Sequence, residues 1–501
     1  MMEAPGVSVA VDRILRPEEG PLRLLVSTSA GVDRAATLGH ADYSYGFVLE
    51  AYVPVLERLG RVHRLDRPES RLLPLAERAL LAGERPIHLA FAPLHKVYLT
   101  PGVPTIAFPF WEFPDLPNRP FGTDTRQDWT RMARYLDGIA VACQMMGRAL
   151  ERHARGPVAV VPVPLRASWF DLEDWRPDRT EVLECKHLRF EGTLERRLAT
   201  ERSRAGLARS IARRAKSVYA DYVWPRLSPR QRAFVHRLAR GTVRRDLERH
   251  SPLERRPLVL GGIVFTSVFN LLDERKNPRD LLTAFLLEFK TRSDATLVLK
   301  LTSCPATEAE VVRRLNQLYR SLGIEHRCRV VAILDYLDDA QMAALMRATT
   351  AYVNASLAEG ACLPLQDAMA SGRPVVAPDH TAMADYIDQE VGCVVGSSAE
   401  PTHWPHDPER RIETSWRRIN WESLRYGLRE VAWAAEYDRR RYARWSQAAR
   451  KRIGELASAE VVERRLGRLI TEVAARADWG ATDWREPTAG KTQIGGRSEA
   501  A

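Results

Sequence analysis

Apolar and polar positions fall into two stretches of alternating strand and helix patterns, separated by a stretch without that alternation. Leu22–Ser27 is a short apolar run. A loop with Gly31 and Gly39 leads to Ser44-Tyr45-Gly46, then Phe47, Ala51, Val55 and Leu59 follow at helical spacing, and Val62–Leu65 returns to a strand pattern. Strand, loop, helix, strand at this spacing opens a doubly wound α/β domain. Ile87–Phe91, Thr105–Phe110, Asp137–Ala142 and Val158–Val163 continue it, so residues 20–165 are expected to form one Rossmann-like domain. Over 166–256 the alternation stops, and Leu194, Leu198, Leu207 and Ile211 at helical intervals predict a helical insert. Leu258–Ser267, Thr296–Lys300, Cys328–Leu334 and Ala351–Asn354 read as strands of a second domain over 257–414. Its predicted helices are Pro278–Lys290, Glu308–Leu322 and Asp338–Ala348. Residues 415–475 are polar and helical in pattern, and 476–501, rich in Gly, Thr and Ser, are expected to be disordered.

The richest chemistry lies in Glu359–Ala377, EGACLPLQDAMASGRPVVA. Pro364 stands where a helix would begin, Gly372 where it would end, and Val375-Val376-Ala377 reads as a buried strand. The helix N-terminus has free N–H groups, so the loop before it can hold a phosphate. Glu359 precedes that N-terminus, where a ligand would be its expected partner. Glu274-Arg275-Lys276-Asn277-Pro278 lies at the carboxyl edge of the second domain's first strand, a place from which a basic loop reaches an interdomain crevice. Lys300 ends the next strand and could face the same crevice. In the first domain Trp111-Glu112-Phe113-Pro114-Asp115-Leu116-Pro117 follows a strand.

The pattern Glu359–x7–Asp367 followed by Ala368-Met369-Ala370-Ser371-Gly372-Arg373-Pro374-Val375 closely resembles the donor-binding signature of retaining glycosyltransferases of the GT-B fold, family 4 type. The resemblance is strong over about 260–395, looser over 85–165, and absent from the insert. It implies two Rossmann-like domains facing a cleft, with C-terminal helices that return to the first domain. It also implies transfer of a sugar from a nucleotide-sugar donor to a hydroxyl acceptor with retention, the leaving phosphate oxygen taking the acceptor proton. On that basis Glu359 binds sugar hydroxyls and Asp367 the ribose hydroxyls. Lys276 and Arg275 balance the diphosphate, helped by Lys300 and by the backbone at Gly360, Cys362 and Leu363. Glu112 stands where relatives place a histidine beside the transferred sugar, and Trp111 is a stacking surface for the acceptor. Two positions depart from the family: Asp367 replaces the usual Glu, and Asn270 stands where an Arg is often found, which leaves Arg275 to take that role. No metal ligands and no cofactor are expected.

Composition narrows the setting. No run of eighteen apolar residues and no signal-like N-terminus are present, and six scattered cysteines without a CxxC pair fit a reducing cytoplasm. There is no GxxxxGK[ST] loop, which argues against a nucleoside triphosphatase. Of the chain's charge of +11, the segment Arg196–Arg256 alone carries 18 Arg or Lys against 5 Asp or Glu. That excess admits a solvated helical face, an anionic inner membrane surface, or, ranked below both for want of interleaved aromatics, nucleic acid. Two alternatives to a transferase stay open: a non-catalytic GT-B scaffold with a decayed site, and nucleic-acid binding through the Arg-rich insert.

Overall fold

The computed structural model of the chain describes residues 20–30, 42–120, 124–190, 253–405, 407 and 409–477. The Gly31–Gly39 loop, most of the Arg-rich insert and most of the C-terminal tail lie outside them. The first sheet holds β1 (Leu22–Thr28), β2 (Arg61–Leu65), β3 (Arg85–Phe91), β4 (Thr105–Ala107), β5 (Gly138–Val141) and β6 (Val158–Val160) in the order β2-β1-β3-β4-β5-β6. All pair in parallel. Helices α1 (Tyr43–Leu59), α2 (Pro68–Leu81), α3 (Trp129–Met132) and α4 (Gln144–Glu151) occupy the connections. A parallel sheet needs such crossovers, and they bury both of its faces. Tyr52 of α1 shows the result: it packs among Phe91 and Phe108 and donates from its hydroxyl to Val161 O at 2.7 Å.

A short helix, α5 (Ala167–Phe170), leads into the second sheet. This comprises β7 (Glu181–Phe190), β8 (Arg255–Leu260), β9 (Ile263–Phe269), β10 (Ala295–Leu301), β11 (Arg329–Ile333), β12 (Ala351–Val353), β13 (Val375–Ala377) and β14 (Gly392–Val394). Its order is β14-β13-β12-β9-β10-β11-β7-β8, parallel except at β7, which runs antiparallel to both neighbours. Helices α6 (Pro278–Glu288), α7 (Glu308–Leu322), α8 (Asp339–Ala348) and α9 (Leu363–Ala370) link its strands. Local signals fix their starts. Asp338 and Gln341 form a reciprocal capping box on α8, and Asn277, at φ 49°, precedes Pro278 at the start of α6.

The doubly wound, two-domain GT-B architecture is the one found, with three corrections to the expected segments. Residues 181–190 are not part of a helical insert but a strand of the second sheet. The run expected as one strand from Leu258 is two strands, broken at Gly262 (φ 77°). The C-terminal helices also divide. After a hairpin of β15 (Ser397–His403) and β16 (Glu413–Ile419), α10 (Trp421–Tyr437) and α11 (Arg439–Ala457) stay on the second domain. Leu424, Leu428 and Val431 of α10 pack there with Leu281, Leu282 and Phe285 of α6. Only α12 (Ala459–Arg476) returns. Its Val462, Leu466, Leu469, Ile470 and Val473 complete the first domain's core. The approach is close enough that a methyl on Gly138 would lie 2.7 Å from Val473 Cγ2.

Candidate functional site

The site lies where loops at the carboxyl ends of β9 and β12 meet the loop after β4. Carboxyl-end loops of open parallel sheets are where ligands bind. After β9 the chain makes a short 3-10 turn, Glu274–Lys276, whose start is capped by Asp273 accepting from the backbone N–H of Arg275. That turn delivers two cations to Glu359. Lys276 Nζ stands 2.6 Å from Glu359 Oε1, and Arg275 Nη1 stands 3.2 Å from Oε2. Glu359 is only 3% exposed. Burial alone would raise its pKa, but the two cations outweigh burial and hold the carboxyl at about 2. Its own N–H donates to Thr381 Oγ1 at 3.0 Å, and Thr381 is a β-branched residue at φ 52°. Such a backbone costs on the order of 1–3 kcal/mol, and it is concentrated here beside the charged cluster.

Arg275 is the hub. Its Nε pairs with Asp273 at 3.0 Å, Nη1 also donates to Ala358 O at 2.9 Å, and Nη2 reaches Glu112 of the first domain at 3.1 Å. Burial opposes its charge, but Glu112, Asp273 and Glu359 together raise its pKa above the ordinary value. Lys276 is likewise opposed by burial and by Arg275, and Glu359 restores its charge. Three carboxylates thus face two cations. The domains also touch through backbone: a methyl on Gly360 would lie 3.1 Å from Trp111 O.

At Cys362 the chain turns left-handed (φ 59°) and then enters α9 at Leu363. The buried Cys362 thiol accepts from Asn354 Nδ2 at 3.0 Å, and Leu363 packs on the first domain's core. Asp367, one turn into α9, joins no carboxylate–cation bond with the cluster. It is half-buried, and burial pushes it up to about 7, with Arg166 acting against that shift and Asp339 adding to it.

Glu359, Arg275, Lys276 and Glu112 therefore come together, Gly360 lies against the Trp111 backbone beside them, and Asp367 stands apart. Glu359 has protein partners, where a ligand alone was expected. Two further expectations are corrected. Trp111 is no stacking platform: it is 3% exposed, wedged among Phe113, Trp129 and Trp404, with its Nε1 donating to Asp115 O. Lys300 does not join the cluster either. It is 5% exposed, its Nζ donates to Leu301 O at 3.3 Å, and the charge facing it is Asp335. Asp273 and Thr381 also belong to the site. Asp273 was legible as an acid two positions before Arg275. Nothing in the sequence marks the fold-back that brings Thr381 to Glu359.

Residues 262–404 match the family described as glycosyl transferases group 1. The matched segment carries Asp273, Arg275, Lys276 and Glu359, but not Glu112. Solved structures similar to the chain include sucrose-phosphate synthase from Thermosynechococcus elongatus, at 14% identity over 91% of this chain and 100% of that one, with TM-score 0.49. HepE of Anabaena, in complex with UDP and glucose, is similar at 13% identity over 90% and 99%, with TM-score 0.46. A glycosyltransferase from Rickettsia africae ESF-5 is similar at 10% over 91% and 99%, with TM-score 0.47. No curated protein matches the chain.

Proposed function

We propose that this protein is a glycosyltransferase that moves a sugar from a nucleotide-sugar donor to a hydroxyl acceptor with retention. One observation carries the reading: a buried, ionised Glu359 is flanked by Lys276 and Arg275 at the carboxyl edge of the family-matched sheet, facing a carboxylate of the first domain. The donor lies on the second domain. Lys276 and Arg275 balance the diphosphate as its bond to the sugar breaks, without a metal. Backbone N–H groups at the start of α9 add to this stabilisation. Glu359 orients sugar hydroxyls, and Asp367, once ionised, binds the ribose. The acceptor enters from the first domain beside Glu112, and its proton passes to the leaving phosphate oxygen. The setting we propose is cytoplasmic synthesis of a glycan, polysaccharide or glycolipid, with the Arg-rich segment toward the inner membrane surface.

The test is a panel of UDP-, GDP- and ADP-sugars, read first as thermal stabilisation and then as nucleoside diphosphate release with and without glycan acceptors. A ligand at 100 times its Kd stabilises by about 2.7 kcal/mol. The anomeric configuration of the product reports retention or inversion. Failure of every nucleotide to stabilise the chain overturns the reading. Stabilisation without turnover on any acceptor favours the scaffold alternative.

A further inference from the structure

We propose that Glu112 occupies, on Arg275, the place of the donor diphosphate, so that donor binding requires this interdomain ion pair to break. The inference rests on the donor reading above and names how that site is held before the donor arrives.

The geometry of Arg275 carries it. Nε is taken by Asp273 at 3.0 Å, Nη1 by Ala358 O at 2.9 Å and Glu359 at 3.2 Å, and Nη2 by Glu112 at 3.1 Å. Four of the five guanidinium N–H groups are engaged and every nitrogen carries a partner, so no pair of N–H groups is left to grip a phosphate two-pronged. One of the partners must leave. Glu359 is held by Lys276 and, through its N–H, by Thr381. Asp273 belongs to the same turn as Arg275 and caps its backbone. Glu112 alone among these carboxylates comes from the other domain. Its side chain is the most exposed of the cluster, at 24% against 13% for Asp273 and 4% for Glu359. It can swing away by side-chain rotation while the backbone beside it stays against Gly360.

Charge points the same way. Three carboxylates already face two cations, so a diphosphate added to the intact cluster meets like charge in a poorly screened place. A diphosphate that replaces Glu112 keeps Arg275 satisfied and removes the surplus carboxylate from it. The freed Glu112 then stands on the acceptor side only once the donor is seated, which orders the substrates, donor first.

The experiment is calorimetric titration of UDP, GDP and ADP into the full chain and into Glu112→Gln, Arg275→Gln and the double variant, each checked for cooperative melting. Glu112→Gln is expected to bind the preferred diphosphate about ten-fold tighter, the lower worth of one charged hydrogen bond. The gain should vanish in the Arg275→Gln background. In turnover, Glu112→Gln should lower the donor KM and also lower kcat, a split that loss of a merely structural ion pair would not give. Unchanged or weaker binding by Glu112→Gln overturns the proposal. So does a gain that persists without Arg275, since that would be charge acting through space. If none of the four proteins binds any nucleoside diphosphate, the donor reading falls and this inference with it. Should Arg275→Gln not fold, the sign of the Glu112→Gln effect and its KM–kcat split still decide.

Discussion

The loop that holds Glu359 and the helix that holds Asp367 belong to one short motif, yet they hold their acids in opposite states. Glu359 is drawn down to about 2 by Lys276 and Arg275 in spite of its burial. Asp367, one helical turn inside α9, is raised by burial to about 7, because the charges nearest it, Arg166 and Asp339, partly offset each other. Eight positions of sequence thus separate a carboxylate whose charge is built into the fold from one whose charge the solution or a ligand decides. The turn after β9 makes the difference: it carries both cations, and it reaches only the loop.

Glu359→Ala should break this contrast most severely. It leaves two buried cations without their shared anion, a change of the class that costs about 3–5 kcal/mol. It should also abolish sugar transfer. Chemical denaturation with transfer assays checks both, and an intact, fully active variant would remove Glu359 from the site. The pH dependence has a definite sign. Glu359 is held below its ordinary 4.5, so its stabilisation is present above that value and is lost as pH falls toward 2. Glu359→Gln should lack that portion of the acid transition.

Next in size is Lys276→Ala. It removes the 2.6 Å partner of Glu359 and one of the two cations offered to the diphosphate. Nucleoside diphosphate affinity should fall by about 1.5–3 kcal/mol, the worth of a hydrogen bond to a charged group. Calorimetry measures this, and unchanged affinity would mean that the turn after β9 does not meet the donor.

Much of this was legible in the sequence, and for physical reasons. Strand and helix periods exposed both doubly wound sheets, because buried parallel strands are short continuous apolar runs: every residue of β10 is buried. Pro364 and Gly372 bracketed α9 within a residue or two, Pro because its φ is fixed and Gly because it takes the left-handed φ of 71° that ends the helix. What escaped was tertiary. β7 was hidden within the Arg-rich stretch because its burial pattern is irregular, as befits a strand near the sheet's edge. Nothing local to Trp111 tells whether its ring faces solvent or three other aromatics, and the hairpin that brings Trp404 against it lies almost 300 residues away in sequence. Lys300 lies one residue before the end of β10, at the expected edge, but beside Asp335.

Asp367→Asn tests the other half of the comparison and should have a smaller effect. A carboxyl raised in the folded state contributes stability that is fully present below its unfolded value of 3.8 and is lost as pH rises toward 7. The Asn variant should therefore melt higher than the parent at pH 8 and equally at pH 4. If the ribose takes the ionised form, donor affinity in the parent should weaken as pH falls below 7 by more than it does in the variant. Equal profiles would detach Asp367 from the donor.

Lys300→Met should have the smallest effect on binding, and it separates the site from its surroundings. Lys300 lies at the same sheet edge as the turn after β9, but burial pulls its pKa down to about 8 and only Asp335 among nearby acids supports its charge. A buried base lowered in this way costs stability below 8, and the cost fades as pH rises toward its ordinary 10.5. Met keeps the volume without the charge, and Asp335 retains Arg255 at 2.7 Å. The variant should therefore bind nucleoside diphosphates as the parent does and be no less stable at pH 7. A loss of nucleotide affinity comparable to that of Lys276→Ala would show that Lys300 turns toward the donor. The cation set would then extend across β10 instead of ending at the turn that serves Glu359.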